Sequence, residues 1–388
     1  MAARRGSDLA PPPIPADFGF TDDHALAKSA ARRFLRERCT TDDVRRLAAD
    51  PVGFDREAWK QIAELGWIGL VIPEVLGGAG LDRLHLALLL EEMGRVLLPS
   101  PFVGSVLAGL ALAEAGGPIA ERLCPAIASG EAIGTVALDE PGGSWEPDEV
   151  AATATPADGG WVLRGAKAHV MYGAAAKVVI VPCREGDSVV LFAVELPSKG
   201  VAVEAEVAVD ATRPTARMKL DGVRVGPEAR LEGDGLAILR AVHASGWSIL
   251  ASEMIGAADA VLERTSDYAK QRQQFGKAIG AFQAVKHPIV DMMVGVEQAR
   301  GLALAAAAAQ EARLPGGADA ARMAKAYAGD VLAFAVKKGV QLHGGFGFTW
   351  DCDVHFYFKR SLWARGALGD SIHHRRRLAE KLLGATAD

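Results

Sequence analysis

The hydrophobic periodicity of this 388-residue chain changes twice, and that double change restricts the fold more than any other feature. From about Thr21 to Gly130 apolar residues recur at helical spacing in "HALAKSAARRFLRERC", "DREAWKQIAELGWIGL" and "DRLHLALLLEEMGRVL", with aspartates at N-cap positions ahead of the stripes. Between Ile133 and about Gly235 the pattern becomes short β-branched runs cut by Gly, Pro and Asp: "IGTVALD", "WVLRGA", "KVVIVPC", "SVVLFAVEL" and "GVAVEAEV". Helical spacing then returns in longer pieces. Leu250, Met254, Ala258, Val261 and Thr265 mark one face; Phe282, Val285, Ile289, Met292 and Val296 a second; Met323, Tyr327, Val331 and Phe334 a third. Every Met and aromatic in these stripes reads as core. The order predicts an α+β chain: a flexible, proline-rich segment 1–20, an N-terminal helical domain 21–132, a central antiparallel β-barrel or sandwich 133–235, and a C-terminal four-helix bundle 236–388.

Composition narrows the partners. Half the residues are hydrophobic and the net charge is −5, which gives no reason to expect nucleic acid or an anionic membrane. Four cysteines lie far apart with no CxxC pair, which argues against zinc or a disulfide framework and suits a reducing cytoplasm. The uncharged run Val96–Ala113 approaches the length of a membrane span, but Pro99 and Pro101 break its first turn, so it predicts a buried helix. The N-terminus carries two arginines without an apolar stretch and does not read as a secretory signal.

There is no GxSxG elbow, HExxH or P-loop, and "HGGFGF" lacks both the third glycine and the preceding strand of a dinucleotide fingerprint. Two stretches carry more. "YAKQRQQFGKAIGAFQAVKH" places Arg272, Phe275, Gly276 and Gln283 around the end of one helix and the start of the next, where an arginine can clamp a diphosphate and an aromatic can cover an adenine or ribose. "QLHGGFGFTW" ends a helix near Gln341 on Gly344 and Gly345, which allow close backbone approach to a ligand.

With the helix–strand–helix order, these stretches resemble the acyl-CoA dehydrogenase family over nearly the whole chain, and "LGWIGLVIPEVLGGAGL" matches that family's N-terminal helical domain. The resemblance implies FAD lying between subunits. Arg272, Phe275, Gln283, Gln341, Gly344 and Gly345 would hold the adenine and diphosphate end of a flavin belonging mainly to a neighbouring subunit, and the protein would be an oligomer. At the ring end the chain departs. The family's Thr-Glu-Pro-Gly-Ala-Gly-Ser-Asp becomes "DEPGGSW", and Lys-x-Trp-Ile-Thr becomes "KAHVM". Leu138, Gly143, Ser144, His169 and Met171 take the ring-side places, His169 able to stack or donate and Met171 to pack.

The reaction that the resemblance implies, α,β-dehydrogenation of an acyl-CoA thioester, needs a base for the α-proton while hydride leaves for the flavin. The family's two usual glutamate positions fall on Leu368 and Gly246, and neither is an acid. Asp370 is the nearest candidate substitute; Glu253 lies two turns past Gly246, and His243 about one turn before it. These departures imply one subunit of a heteromeric enzyme, a homologous partner in a tetramer supplying the base and an electron-transfer flavoprotein taking the electrons. Three alternatives stand beside it: a self-sufficient homo-oligomer using Asp370, a non-catalytic homologue, and a flavin monooxygenase of the same fold. The "HHRRR" run, His373 to Arg377, reads as a solvated helix face, the alternative being contact with the phosphates of coenzyme A or flavin.

Overall fold

The computed structural model describes residues 18–143 and 145–384, so most of the proline-rich lead-in and Ser144 lie outside the described residues. In chain order the helices α1 (Asp22–Arg38), α2 (Thr41–Ala48), α3 (Arg56–Glu64), α4 (Arg83–Arg95), α5 (Phe102–Ala115) and α6 (Gly117–Ala128) come first. Strands β1 (Gly134–Val136), β2 (Thr153–Ala157), β3 (Gly160–Met171), β4 (Val178–Glu185), β5 (Ser188–Glu195), β6 (Val201–Ala205) and β7 (Thr215–Val225) follow. Then come α7 (Gly235–Gln271), the short strands β8 (Gln273–Gln274) and β9 (Lys277–Ala278), α8 (Gln283–Glu311), α9 (Gly317–His343), α10 (Val354–Gly366) and α11 (Ser371–Leu383). The expected aspartate cap is present on α3, where Asp55 accepts the Glu57 and Ala58 amides. On α1, Asp22 and Asp23 sit inside the first turn instead.

Packing gathers the chain into two compact units that do not follow sequence order. One comprises Arg36–Asp82 and Leu97–Gly246; the other the residues up to Leu35, Arg83–Val96 and Trp247 onward. The first unit is built on a sheet of order β1-β4-β2-β3-β7-β6, with β5 paired to β4. Its core is a set of inward apolar side chains, among them Leu163, Val181, Phe192, Met218 and Val223. The pairings β2/β3, β3/β7, β6/β7 and β4/β5 are antiparallel as expected. At one edge the expectation is corrected: β1 runs parallel to β4, and β2 meets β4 in parallel at Thr153↔Arg184. The long excursion through β2 and β3 between β1 and β4 is the crossover that a parallel pair requires. The uncharged run becomes α5, capped by Pro101 and buried along nearly its whole length, with the Ser105 hydroxyl bonded to Gly134 of β1. Among the described residues no helix is long and apolar enough to cross a membrane.

The second unit is helical. Among its described residues the C-terminal segment forms five helices, α7 to α11, where a four-helix bundle is expected; α10 and α11 are the two short ones that follow the glycine-rich turn. The α7 stripe Leu250, Met254, Ala258, Val261 and Thr265 is buried throughout. On α8, Met292 and Val296 are fully buried while Phe282, Val285 and Ile289 are half-buried. The α9 stripe is corrected: Met323 and Phe334 are exposed. The buried face of α9 is instead Ala320, Ala321, Ala324, Ala328, Leu332 and Ala335. It packs against α8, α10 and α11, and three neighbours leave room only for small side chains along most of its length.

Candidate active site

Two corners of the helical unit and one of the sheet unit hold the residues singled out by the sequence. The first corner joins the end of α7 to the end of α9. α7 stops at Gln271 and turns back through the β8–β9 hairpin, registered Gln273↔Ala278 and Gln274↔Lys277. That register leaves a two-residue turn, Phe275–Gly276, with φ of 54° and 79°. Positive φ at both positions is the geometry that matches the twist of paired strands. It thrusts Phe275 into solvent, 91 % exposed, near Phe282 at 6.0 Å. Gln283 opens α8 directly after it. One turn before Arg272, Tyr268 stacks on His343 at 4.4 Å and lies parallel to Phe346 at 6.1 Å. This stack brings the two sequence motifs together. His343 is anchored by Nδ1 on the Gly339 carbonyl at 2.8 Å, and burial lowers its basicity.

The donor set in this corner suits an anion. The Arg272 guanidinium is exposed and engages no ion pair among the described residues. Beyond it α9 ends on Gly344 (φ 63°), and a Cβ placed on Gly344 or Gly345 would meet nothing within 4 Å. These two glycines leave the backbone open to a ligand's approach, whereas Gly347 is a packing position, its Cβ direction filled by the Val340 carbonyl at 2.5 Å. The exposed Gln341 precedes them by one turn. A diphosphate with an adjoining aromatic base fits this set of one free guanidinium, an open backbone and an exposed phenyl ring.

The second corner is the turn between α10 and α11. Leu368 is buried at a φ of 57°, and the Trp247 indole donates to its carbonyl at 2.9 Å. The buried Lys325 donates to the carbonyls of Gly369 (3.0 Å) and Arg365 (3.3 Å). Burial pulls the Lys325 amine down to about 7; the Asp370 charge opposes this and Arg365 adds to it. Asp370 is the N-cap of α11, its Oδ1 accepting the His373 amide at 2.8 Å. Ser371 donates to Asp330 at 2.8 Å. The Arg322 guanidinium lies 4.0 Å from the Trp247 ring, and His374 meets that ring edge-on at 5.3 Å. The solvated reading of "HHRRR" is therefore corrected at its first two residues: His373 and His374 are buried, and Arg375, Arg376 and Arg377 pair with Asp330 and Glu380.

Of the other base candidates, Glu253 forms a buried ion pair with Arg360 at 3.0 Å. His243, in the other unit, turns its Nδ1 onto the Leu239 carbonyl of its own helix at 2.9 Å. Gly246 is buried within α7. Trp247, Arg322 and Lys325 were not legible as site residues. A lysine in "ARMAKAYAGD" looks like any surface lysine on a helix until the carbonyls above it are known.

The third corner lies in the sheet unit, where β1 runs on past Leu138 and meets β3. The Ala168 amide donates to the Asp139 carbonyl at 2.9 Å. The β3/β7 register shifts between Lys167 and Val170, a bulge that leaves Ala168 and His169 out of the ladder. Beneath it the fully buried Lys167 pairs with Glu140 at 2.5 Å, and Glu140 also accepts the Ala151 and Ala152 amides. On top, His169 (φ 50°) is exposed, with both its amide and its Nδ1 at 3.1 Å from Glu206. Met171 is buried with its carbonyl held by Thr135, Leu138 is half-buried, and Gly143 is exposed. Burial pushes the Asp139 carboxyl up to about 6, His169 and Lys167 opposing.

Comparison with known proteins agrees with this architecture. Residues 21–131 match the family model described as acyl-CoA dehydrogenase, N-terminal domain, and residues 233–383 match acyl-CoA dehydrogenase, C-terminal domain. The chain is 35 % identical over 319 residues to acyl-CoA dehydrogenase IpdE2 of Mycobacterium tuberculosis, covering 82 % of this chain and 84 % of that protein. Among solved structures it is similar to the ChsE4-ChsE5 complex from Mycobacterium tuberculosis, with a TM-score of 0.87 and 29 % identity, covering 96 % of this chain and 100 % of that one. It is also similar to a single-substitution variant of the Tcur3481-Tcur3483 steroid ACAD, with a TM-score of 0.85 and 31 % identity over 94 % of this chain and 99 % of the other. On the motifs, the fold and these likenesses, the chain belongs to the acyl-CoA dehydrogenase family.

Proposed function

We propose that the chain is one subunit of a heteromeric acyl-CoA dehydrogenase that introduces an α,β double bond into an acyl-CoA thioester. The observation that carries this reading is the α10–α11 turn. Its base position is a buried leucine, and its one carboxylate, Asp370, already caps a helix. That carboxylate is held at the start of α11 by the His373 amide, turned to capping its own helix. The other usual position is a glycine inside α7. A homologous partner subunit then supplies the base. The likeness to the ChsE4-ChsE5 and Tcur3481-Tcur3483 structures, each named for two proteins, supports this arrangement.

FAD, when bound, supplies the hydride acceptor of such a reaction. Arg272, Phe275, Gln283, Gln341, Gly344 and Gly345 hold the adenine and diphosphate end of a flavin belonging mainly to a neighbouring subunit, Arg272 countering the charge and the two glycines admitting the backbone. The corner around Leu138, Gly143, His169 and Met171 meets the ring end of a different flavin, this chain's own. An electron-transfer flavoprotein takes the electrons, and the working compartment is the cytoplasm, as four buried cysteines in the thiol form favour.

The test is the visible spectrum, native mass and turnover of the purified chain, alone and with whatever subunit co-purifies from its native cells. We expect no acyl-CoA turnover by the chain alone and turnover by a yellow mixed oligomer. A yellow homo-oligomer of this chain that bleaches with an acyl-CoA overturns the reading.

A further inference from the structure

We propose that His169 and Glu206 form a proton-holding dyad at the flavin's ring end, with His169 Nε2 as the acceptor for an N–H of the bound ring and Glu206 as the positioning residue. The inference rests on the flavin reading above and adds to it a residue, Glu206, that no sequence motif marks.

The dyad is a built arrangement. Glu206 follows β6 and is tied back to β7 through its own amide, which donates to the Thr215 carbonyl at 2.9 Å. One carboxylate oxygen accepts Arg217 Nε at 3.1 Å. The other accepts two bonds from His169, the backbone amide and ring Nδ1, each at 3.1 Å. Burial favours the neutral Glu206 acid, but bonds from Thr215, His169 and Arg217 outweigh it and hold the group below the usual carboxylate range. An ionised carboxylate can only accept, so the imidazole nitrogen facing it carries the proton. Nδ1–H thus points at Glu206, and in the neutral ring Nε2 keeps its lone pair.

Nothing among the described residues bonds Nε2, and the side chain is 64 % exposed. The β3 bulge and a φ of 50° hold that ring out of the sheet, a backbone conformation costly for a residue with a Cβ. Two bonds donated to one carboxylate offset that cost and fix the ring direction. The same logic, a carboxylate orienting a histidine so that its far nitrogen handles a proton, operates in hydrolytic triads. The other ionisable groups facing this corner are Asp139 on the neighbouring chain segment and the Lys167–Glu140 pair beneath the bulge.

Two measurements test the dyad. First, imidazole ¹⁵N shifts of the ligand-free chain should show His169 in its Nδ1–H form, and Glu206→Gln should redistribute it toward a mixture of tautomers. Second, FAD is titrated into the flavin-stripped oligomer. His169→Phe keeps a ring but loses the acceptor, so its Kd should rise about tenfold, the worth of one hydrogen bond. Glu206→Gln should give a smaller rise. An Nε2–H tautomer in the wild-type chain overturns the dyad. Unchanged FAD affinity in His169→Phe also overturns it, by showing a stacking role, and leaves the flavin reading intact. A wild-type oligomer that takes up no FAD overturns the flavin reading and the dyad together.

Discussion

At position 370 a carboxylate sits two residues past the point where a base would be expected, and its surroundings decide what it can do. Asparagine caps a helix about as well as aspartate, whereas alanine forfeits about 1 kcal/mol. Asp370→Asn should therefore leave both stability and turnover of the assembled enzyme close to wild type, and Asp370→Ala should lower only stability. Turnover abolished in Asp370→Asn, measured by electron-acceptor reduction, would restore that residue as the base. Asp139 gives a second prediction through pH. Burial raises its carboxyl from 3.8 to about 6, so the folded chain holds this proton more tightly than the unfolded one. The associated stability is complete below about 4 and is lost as pH rises through about 6. Asp139→Asn should thus gain about 3 kcal/mol over wild type at pH 8, roughly half of that at pH 5 and little below pH 4, read from urea unfolding at the three pH values.

Among elements, the crossing of α4 and α7 depends on two glycines facing opposite backbones. A Cβ on Gly94 would lie 2.0 Å from the Glu253 carbonyl oxygen, and one on Gly256 would lie 1.8 Å from that of Glu91. Alanine would improve each helix by about 1 kcal/mol in isolation. Here the clash is with main chain, which cannot rotate away. Gly94→Ala or Gly256→Ala should each cost about 3 kcal/mol or more, seen as a lowered Tm. The sequence showed both helices but not their crossing, because a glycine inside a helical pattern reads as a weak point until a second backbone is placed against it. Likewise, the α9 stripe was misread on Met323 and Phe334. The period was right, but the buried face belongs to the alanines, since close helix spacing selects small residues over hydrophobic ones.

At the scale of the whole chain, residues far apart in sequence meet in buried charge networks. In the helical unit Glu91 on α4 pairs with Lys28 on α1 at 3.0 Å and with Arg300 on α8 at 2.9 Å. Burial alone would neutralise Glu91, but these cations keep it ionised and hold it below the usual glutamate range. Arg300→Met should cost about 3 kcal/mol by leaving a buried carboxylate short of a partner. The deficit should shrink as pH falls through the glutamate range and Glu91 is protonated, a dependence that unfolding curves from pH 7 to pH 4 will show. What the sequence alone determined is what local periodicity and spacing encode: the helix–strand–helix order, the break between two helices around Phe275–Gly276, the paired glycines after Gln341, and the absence of an acid at Leu368 and Gly246. Those features depend on neighbours a few residues away. The tertiary structure decided the rest: that β1 runs parallel to β4, that Lys325 lies beneath the turn, that Asp370 caps a helix, and that Glu206 meets His169. Each depends on a contact between distant segments, where burial and a hydrogen-bond partner, not the residue type, set what a charged group can do.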